Sequence, residues 1–240
     1  GLVVRGDNPL RPQELNDGHL WVQEVFYTLQ GEGPFSGQPA VFVRLAGCNL
    51  SCFWCDTEFE SSTWRPELTE LIDAIEKVRP LFCQLIVITG GEPFRQNIGP
   101  LVERLLALTD KIMVQIETNG TLYLDLPDSS RLHIVCSPKT SALNQRLLPK
   151  ISSYKYLIAA GQYDSEDGLP IESTQKAGER VRIARPAEFQ NGNTAAVYVM
   201  PIDSTSVEEN YANTQAAVKV ALEFGYRLTL QTHKITGITY

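Results

Sequence analysis

The amino-acid sequence predicts an α/β fold, an open partial (β/α) barrel with reduced helix content, on three observations. Short β-branched or alternating apolar runs are interleaved with stretches of helical period, the order that builds a parallel sheet with right-handed crossovers. Seven or so runs read as strands, but the segments between them carry too little helical pattern for eight full units. Short polar motifs follow several of the strands, where a barrel presents the C-terminal ends that form its active face.

Residues 1–18 are polar with two prolines and read as an N-terminal arm, leaving 19–240 as one domain. Residues 21–27 alternate as a strand does, Gly31, Gly33, Pro34 and Gly37 break the chain, and 40–45 is a β-branched run fit for burial. In 67–78, Leu68, Leu71, Ile72, Ile75 and Val78 share one helical stripe, with Pro66 suited to the first turn and Pro80 closing it. A strand at 85–89 precedes a helix capped by Asn97, whose Ile98, Leu101, Val102, Leu105 and Leu108 face inward. Strands follow at 112–116, 132–136 and 154–158. The pattern weakens in an insertion at about 161–193, with one further strand expected at 180–184. After a strand at 196–200, Ser206 and Glu209 form a capping box for a helix through Phe224, ended by Gly225, and 227–230 is the last strand.

Composition narrows the classes of function. With 43% hydrophobic and 20% charged residues, 17 Gly and 14 Pro in 240, collagen-like, coiled-coil and disordered readings fall away. The 28 acidic against 21 basic residues leave a formal charge of −7, which disfavours a nucleic-acid partner. No apolar run approaches a membrane span and residues 1–8 lack the order of a secretory signal, so a cytoplasmic protein with no membrane partner is expected.

Three of the five cysteines, Cys48, Cys52 and Cys55, share one tight loop directly after the 40–45 strand. Three thiolates are too few to close a structural zinc site, and His19, His133 and His233 lie far off in sequence. A 4Fe-4S cluster on three cysteines instead leaves one iron open, as an active site requires. Cys83 and Cys136 read as buried structural thiols.

The spacing Cys48-x-x-x-Cys52-x-x-Cys55, with Trp54 before the last cysteine, resembles the signature of radical S-adenosylmethionine enzymes. Thr89-Gly90-Gly91-Glu92-Pro93 resembles the same family's Gly-Gly-Glu-Pro turn, where a bare backbone can approach a ligand. The family uses its open iron to chelate S-adenosylmethionine and split it reductively, the protein holding cofactor and substrate in line. Gln30-Gly31-Glu32-Gly33, Arg44, Cys55-Asp56-Thr57, Glu117-Thr118-Asn119-Gly120, Ser137-Pro138-Lys139 and Gln231-Thr232-His233-Lys234 together resemble the 7-carboxy-7-deazaguanine synthase family. That resemblance runs from about residue 23 to the C-terminus. It implies ring contraction of 6-carboxy-5,6,7,8-tetrahydropterin with loss of ammonia, a magnesium requirement, a place in queuosine-type biosynthesis, a flavodoxin-like electron donor and a homodimer.

By the same resemblance, Leu29, Gln30, Gly31, Glu32 and Thr89 line a pterin pocket, and the C-terminal Tyr240 lies near the substrate. Arg44 sits two positions from Phe42 in an apolar strand, so its charge needs a partner: the substrate carboxylate, or a protein carboxylate in an ion pair. Thr57 is implied as the protein's magnesium ligand, with helix or turn capping by Asp56 or Thr57 as the alternative. S-adenosylmethionine contacts are implied for Trp54, Cys55, Asp56, Gly91, Glu92, Glu117, Ser137, Pro138, Lys139, Gln231, Thr232, His233 and Lys234. No residue is assigned a proton-transfer role. The rival readings are another radical S-adenosylmethionine enzyme, such as a glycyl-radical activator, and a non-catalytic iron-sulfur or zinc scaffold.

Overall fold

The computed structural model describes residues 18–46, 64–172, 182–187 and 195–238. One sheet of eight strands organises them, in spatial order identical to chain order. The strands are β1 (Val22–Leu29), β2 (Pro39–Leu45), β3 (Leu85–Gly90), β4 (Met113–Thr118), β5 (Leu132–Cys136), β6 (Ser153–Ile158), β7 (Ala196–Pro201) and β8 (Arg227–Leu228). From β2 to β8 every pairing is parallel, as the strand-helix alternation predicts. β1 departs from that expectation: it pairs antiparallel with β2, because only nine residues join them and so short a link makes a hairpin, not a crossover. The result is the partial, unclosed α/β barrel expected.

Period-two alternation divides each strand between two faces. Val41, Val43, Leu45, Ile86, Ile88, Val114, Ile116, Tyr154, Tyr156, Val197 and Val199 point outward into the main core. They are covered there by α1 (Leu68–Val78) through Leu71, Ile72 and Ile75, by α2 (Gly99–Leu106) through Leu101, Val102 and Leu105, and by α3 (Val207–Phe224) through Ala216, Ala217 and Val220. On the inner face a smaller cluster forms from Ala40, Phe42, Leu85 and Val87, with Phe26, Phe35 and Met113 against it. Residues further along the same inner rows are polar: Arg44, Thr89, Gln115, Glu117 and Lys155.

Several local expectations change. Asn97 does not cap α2; Ile98 is the N-cap and no side chain caps it. Pro66 precedes the α1 cap, Glu67, instead of opening the helix, and Val78 at the end of the stripe is 37% exposed. The Ser206 hydroxyl accepts from the Glu209 N–H as a capping box requires, but Glu209 returns its side chain to the Ser204 hydroxyl, which in turn accepts from the Ser206 N–H. Gly225 ends α3 in the left-handed conformation, φ 75°. Residues 182–184 of the expected 180–184 strand are not strand; Ala184 is fastened by its N–H to the Thr140 carbonyl and by its carbonyl to the Tyr156 hydroxyl.

Candidate active site

The loop from Gln30 to Gln38 crosses the inner face and ties the first part of the sheet to the last. Gly33 N–H donates to the Thr229 hydroxyl (2.8 Å), and Thr232 N–H, at the start of α4 (Thr232–Thr236), donates to the Gly31 carbonyl (3.0 Å). Phe35 meets His133 of β5 edge-on at 5.1 Å, so the loop is packed as well as hydrogen-bonded. This explains why a glycine-rich stretch holds one place between two distant strands.

The loop brings two polar side chains into the sheet. Gln30, fully buried, donates to Gln115 (3.0 Å) and to Glu117 (3.3 Å), and Thr89 donates to the other Glu117 oxygen (3.0 Å). Glu32 pairs with Lys155, both under 10% exposed. Burial, the largest single influence, would raise the Glu32 carboxyl, but the charge and hydrogen bond of Lys155 together with His233 and Lys139 hold the group below the usual carboxylate value. Lys155 mirrors this: burial opposes its charge, yet Glu32 and then Glu117 hold it protonated above the ordinary lysine value. Four of the residues assigned to a pterin pocket or cofactor rim, Gln30, Glu32, Thr89 and Glu117, thus share one network.

At the C-terminal end of β3 the chain turns through Gly90 and Gly91. A Cβ on Gly90, at φ +120°, would stand 2.2 Å from the Leu45 carbonyl oxygen, and Gly91 N–H donates to that oxygen at 3.1 Å. Glycine is required there, and the turn is locked to the residue that precedes the cysteine loop. Glu92 braces it. Its carboxylate accepts from Phe94 N–H (2.9 Å), Asn119 N–H (2.7 Å) and the Thr118 hydroxyl (2.8 and 2.9 Å), spending both oxygens on the chain. Burial nevertheless pushes the Glu92 carboxyl up to about 7, against those hydrogen bonds.

Arg44 has a protein partner: its Nε meets Glu24 Oε1 at 3.1 Å across the β1–β2 pair, and its guanidinium lies 5.7 Å over the Phe26 ring. Ser137, Pro138 and Lys139 follow β5, and Gln231 to Lys234 follow β8. Lys234 is drawn away to Asp203 (2.6 Å) on the surface, whereas Lys139 and His233 stay near enough to act on Glu32. Cys48, Cys52, Trp54, Cys55, Asp56, Thr57 and Tyr240 lie outside the described residues. Among the described residues no group of three His, Cys, Asp or Glu side chains could hold a metal ion. Cys83 and Cys136 are buried free thiols, as expected. No helix among the described residues is long and apolar enough to cross a membrane.

Sequence reasoning missed Lys155 and Gln115. The signal was present in Tyr154-Lys155-Tyr156, a charge inside an apolar strand, where the argument applied to Arg44 holds equally.

Residues 43–133 match the family model of the Radical SAM superfamily. A 7-carboxy-7-deazaguanine synthase of Rhodospirillum rubrum is 54% identical over 97% of this chain and 99% of its own length. One from Rickettsia prowazekii is 41% identical over 97% and 95%. The crystal structure of QueE from Escherichia coli superposes with a TM-score of 0.66 at 24% identity, covering 90% of this chain and 96% of that one, which is a likeness of fold. The family model and the near full-length relatives together define a radical S-adenosylmethionine enzyme. Within that class the chain belongs to the 7-carboxy-7-deazaguanine synthase family.

Proposed function

We propose that the protein contracts the ring of 6-carboxy-5,6,7,8-tetrahydropterin to 7-carboxy-7-deazaguanine with loss of ammonia, in queuosine-type biosynthesis. The observation that carries this reading is the near full-length match at 54% identity, and the buried Gln30–Glu32–Thr89–Glu117 network supports it. A pterin edge presents paired N–H donors and a carbonyl, which a carboxylate and an amide side chain can match. Arg44, held through its Nε by Glu24, is the residue for the substrate carboxylate.

Cys48, Cys52 and Cys55 would hold the 4Fe-4S cluster, and Thr57 a magnesium ion shared with substrate oxygens. The Gly90-Gly91 turn, which lies against the Leu45 backbone and admits no side chain at Gly90, supports placing S-adenosylmethionine beside it. Ser137, Pro138, Lys139 and the segment from Gln231 to His233 would complete that site. When bound, cluster and S-adenosylmethionine supply the radical chemistry. The chain's own task is to orient the pterin through Glu32, Thr89 and Glu117 and to exclude water. A flavodoxin-like donor and a homodimer complete the proposal.

Metal analysis tests the cluster. The reconstituted protein should hold about four irons per chain and change its absorbance when S-adenosylmethionine is added. Cys48→Ala, Cys52→Ala and Cys55→Ala should each abolish both properties, and Cys83→Ala should keep them. Zinc in place of iron, or an iron-replete Cys52→Ala protein, would contradict the assignment.

A further inference from the structure

We infer that Lys155 is a positioning residue for substrate recognition: its ammonium fixes the Glu32 carboxylate on the inner face so that the remaining oxygen, Oε2, receives the N–H edge of the substrate. The inference rests on the pterin reading of this site and names the residue that sets its geometry.

The observations are geometric. Lys155 lies at an inner-face position of β6, opposite Tyr198 of β7 and in the same row as Ser153, while its neighbours Tyr154 and Tyr156 point into the outer core. Its Nζ takes Glu32 Oε1, and no described residue donates to Oε2. The Glu32 backbone is itself held, its N–H donating to Gln30 Oε1 at 3.4 Å. A loop carboxylate pinned at one oxygen by a strand lysine, and at its backbone by a buried glutamine, has little freedom left. Such pinning is what a site needs to hold a ligand in one orientation.

A proton-donor role for Lys155 fits less well. Glu32 and Glu117 both face it and strengthen its hold on the proton, which suits a permanent cation and not a shuttle. The groups facing Glu32 are Lys155 from β6, Lys139 after β5 and His233 from α4, so Lys155 is the nearest of three cationic or ionisable partners. Removing it leaves desolvation opposed only by the two weaker ones. Glu32 would then take up a proton at a higher pH, and substrate affinity would fall with it.

The experiment measures equilibrium binding of 6-carboxy-5,6,7,8-tetrahydropterin under anaerobic conditions to the reconstituted protein with S-adenosylmethionine and no reductant, from pH 5 to 8. Lys155→Met should weaken binding at least about 30-fold and move the acidic limb of affinity to higher pH. Lys155→Arg, which keeps the charge, should restore most of the affinity and the wild-type limb. The double variant Glu32→Gln with Lys155→Met should bind no more weakly than Glu32→Gln alone, since Lys155 acts through Glu32. Should Lys155→Met lose the wild-type circular dichroism, Lys155→Gln carries the same expectations. Wild-type affinity and an unmoved limb in the folded Met or Gln variant would overturn the inference, as would fully additive losses in the double variant. Absence of binding by the wild-type protein would instead overturn the pterin reading beneath it.

Discussion

Substituting Gly90 by alanine strikes the joint between the glycine turn and the strand that leads into the cysteine loop. Three backbone atoms of Leu45 would face the new methyl, the carbonyl oxygen at 2.2 Å, the nitrogen at 2.4 Å and the carbonyl carbon at 2.9 Å, and none of them can rotate away. Restoring ordinary contact moves the ends of β2 and β3 apart by roughly 1 Å, an overpacking that costs about 1–3 kcal/mol. The φ of +120° adds about 1–3 kcal/mol of backbone strain for a residue with a Cβ. The same movement stretches the Gly91–Leu45 hydrogen bond, a loss of about 1 kcal/mol. Together these destabilise the fold by about 3–7 kcal/mol, a large share of the ~5–15 kcal/mol typical of a domain. Gly37→Ala is the control, because its φ of +86° carries strain but nothing lies within 4 Å of its Cβ. Urea denaturation of the two variants and wild type, with iron content measured on the same samples, reads the difference. A Gly90→Ala protein within about 1 kcal/mol of Gly37→Ala would refute the close-approach argument.

Glu92 should impose a pH dependence on stability. Folding raises its carboxyl from 4.5 to about 7, so between those values the folded chain holds a proton the unfolded chain has released. The stabilisation is complete below about pH 4.5 and is lost by about pH 7, a change of about 3 kcal/mol that Glu92→Gln should flatten. Equal pH slopes for the two proteins in denaturation from pH 4.5 to 8 would contradict the assignment. Turnover should rise with magnesium, and Thr57→Ala should reduce that dependence with iron content unchanged while Thr57→Ser keeps most of it; equal wild-type activity in chelator and in magnesium would remove the basis for the site.

The sheet was legible because each strand carries its own pattern: 132–136 matches its predicted limits, and the other strands lie within two residues at either end. The exceptions have physical causes. The β1–β2 hairpin was hidden because periodicity reports a strand, not its direction; the nine-residue link was the clue. Asn97 has a capping side chain, yet the backbone of the Ile98 position took the cap, a choice propensity cannot settle. At the site, motif spacing brought Gln30, Glu32, Thr89 and Glu117 into view, and their mutual hydrogen bonds required the fold. Glu24 as the partner of Arg44 follows from the continuous hairpin register, in which the two residues lie directly opposite, and that register was hidden as long as the antiparallel pairing was. Lys155 was overlooked as one charge in a short apolar strand, although burial of that charge demanded a carboxylate somewhere.

Whether the protein contracts the pterin ring can be read from a single incubation. The reconstituted protein is incubated anaerobically with 6-carboxy-5,6,7,8-tetrahydropterin, S-adenosylmethionine, magnesium and a reductant, and the mixture is followed by mass spectrometry. The expected products are 7-carboxy-7-deazaguanine and ammonia, dependent on Cys48, Cys52 and Cys55 and reduced by Glu32→Gln. Cleavage of S-adenosylmethionine to 5′-deoxyadenosine with the pterin recovered unchanged would contradict this expectation.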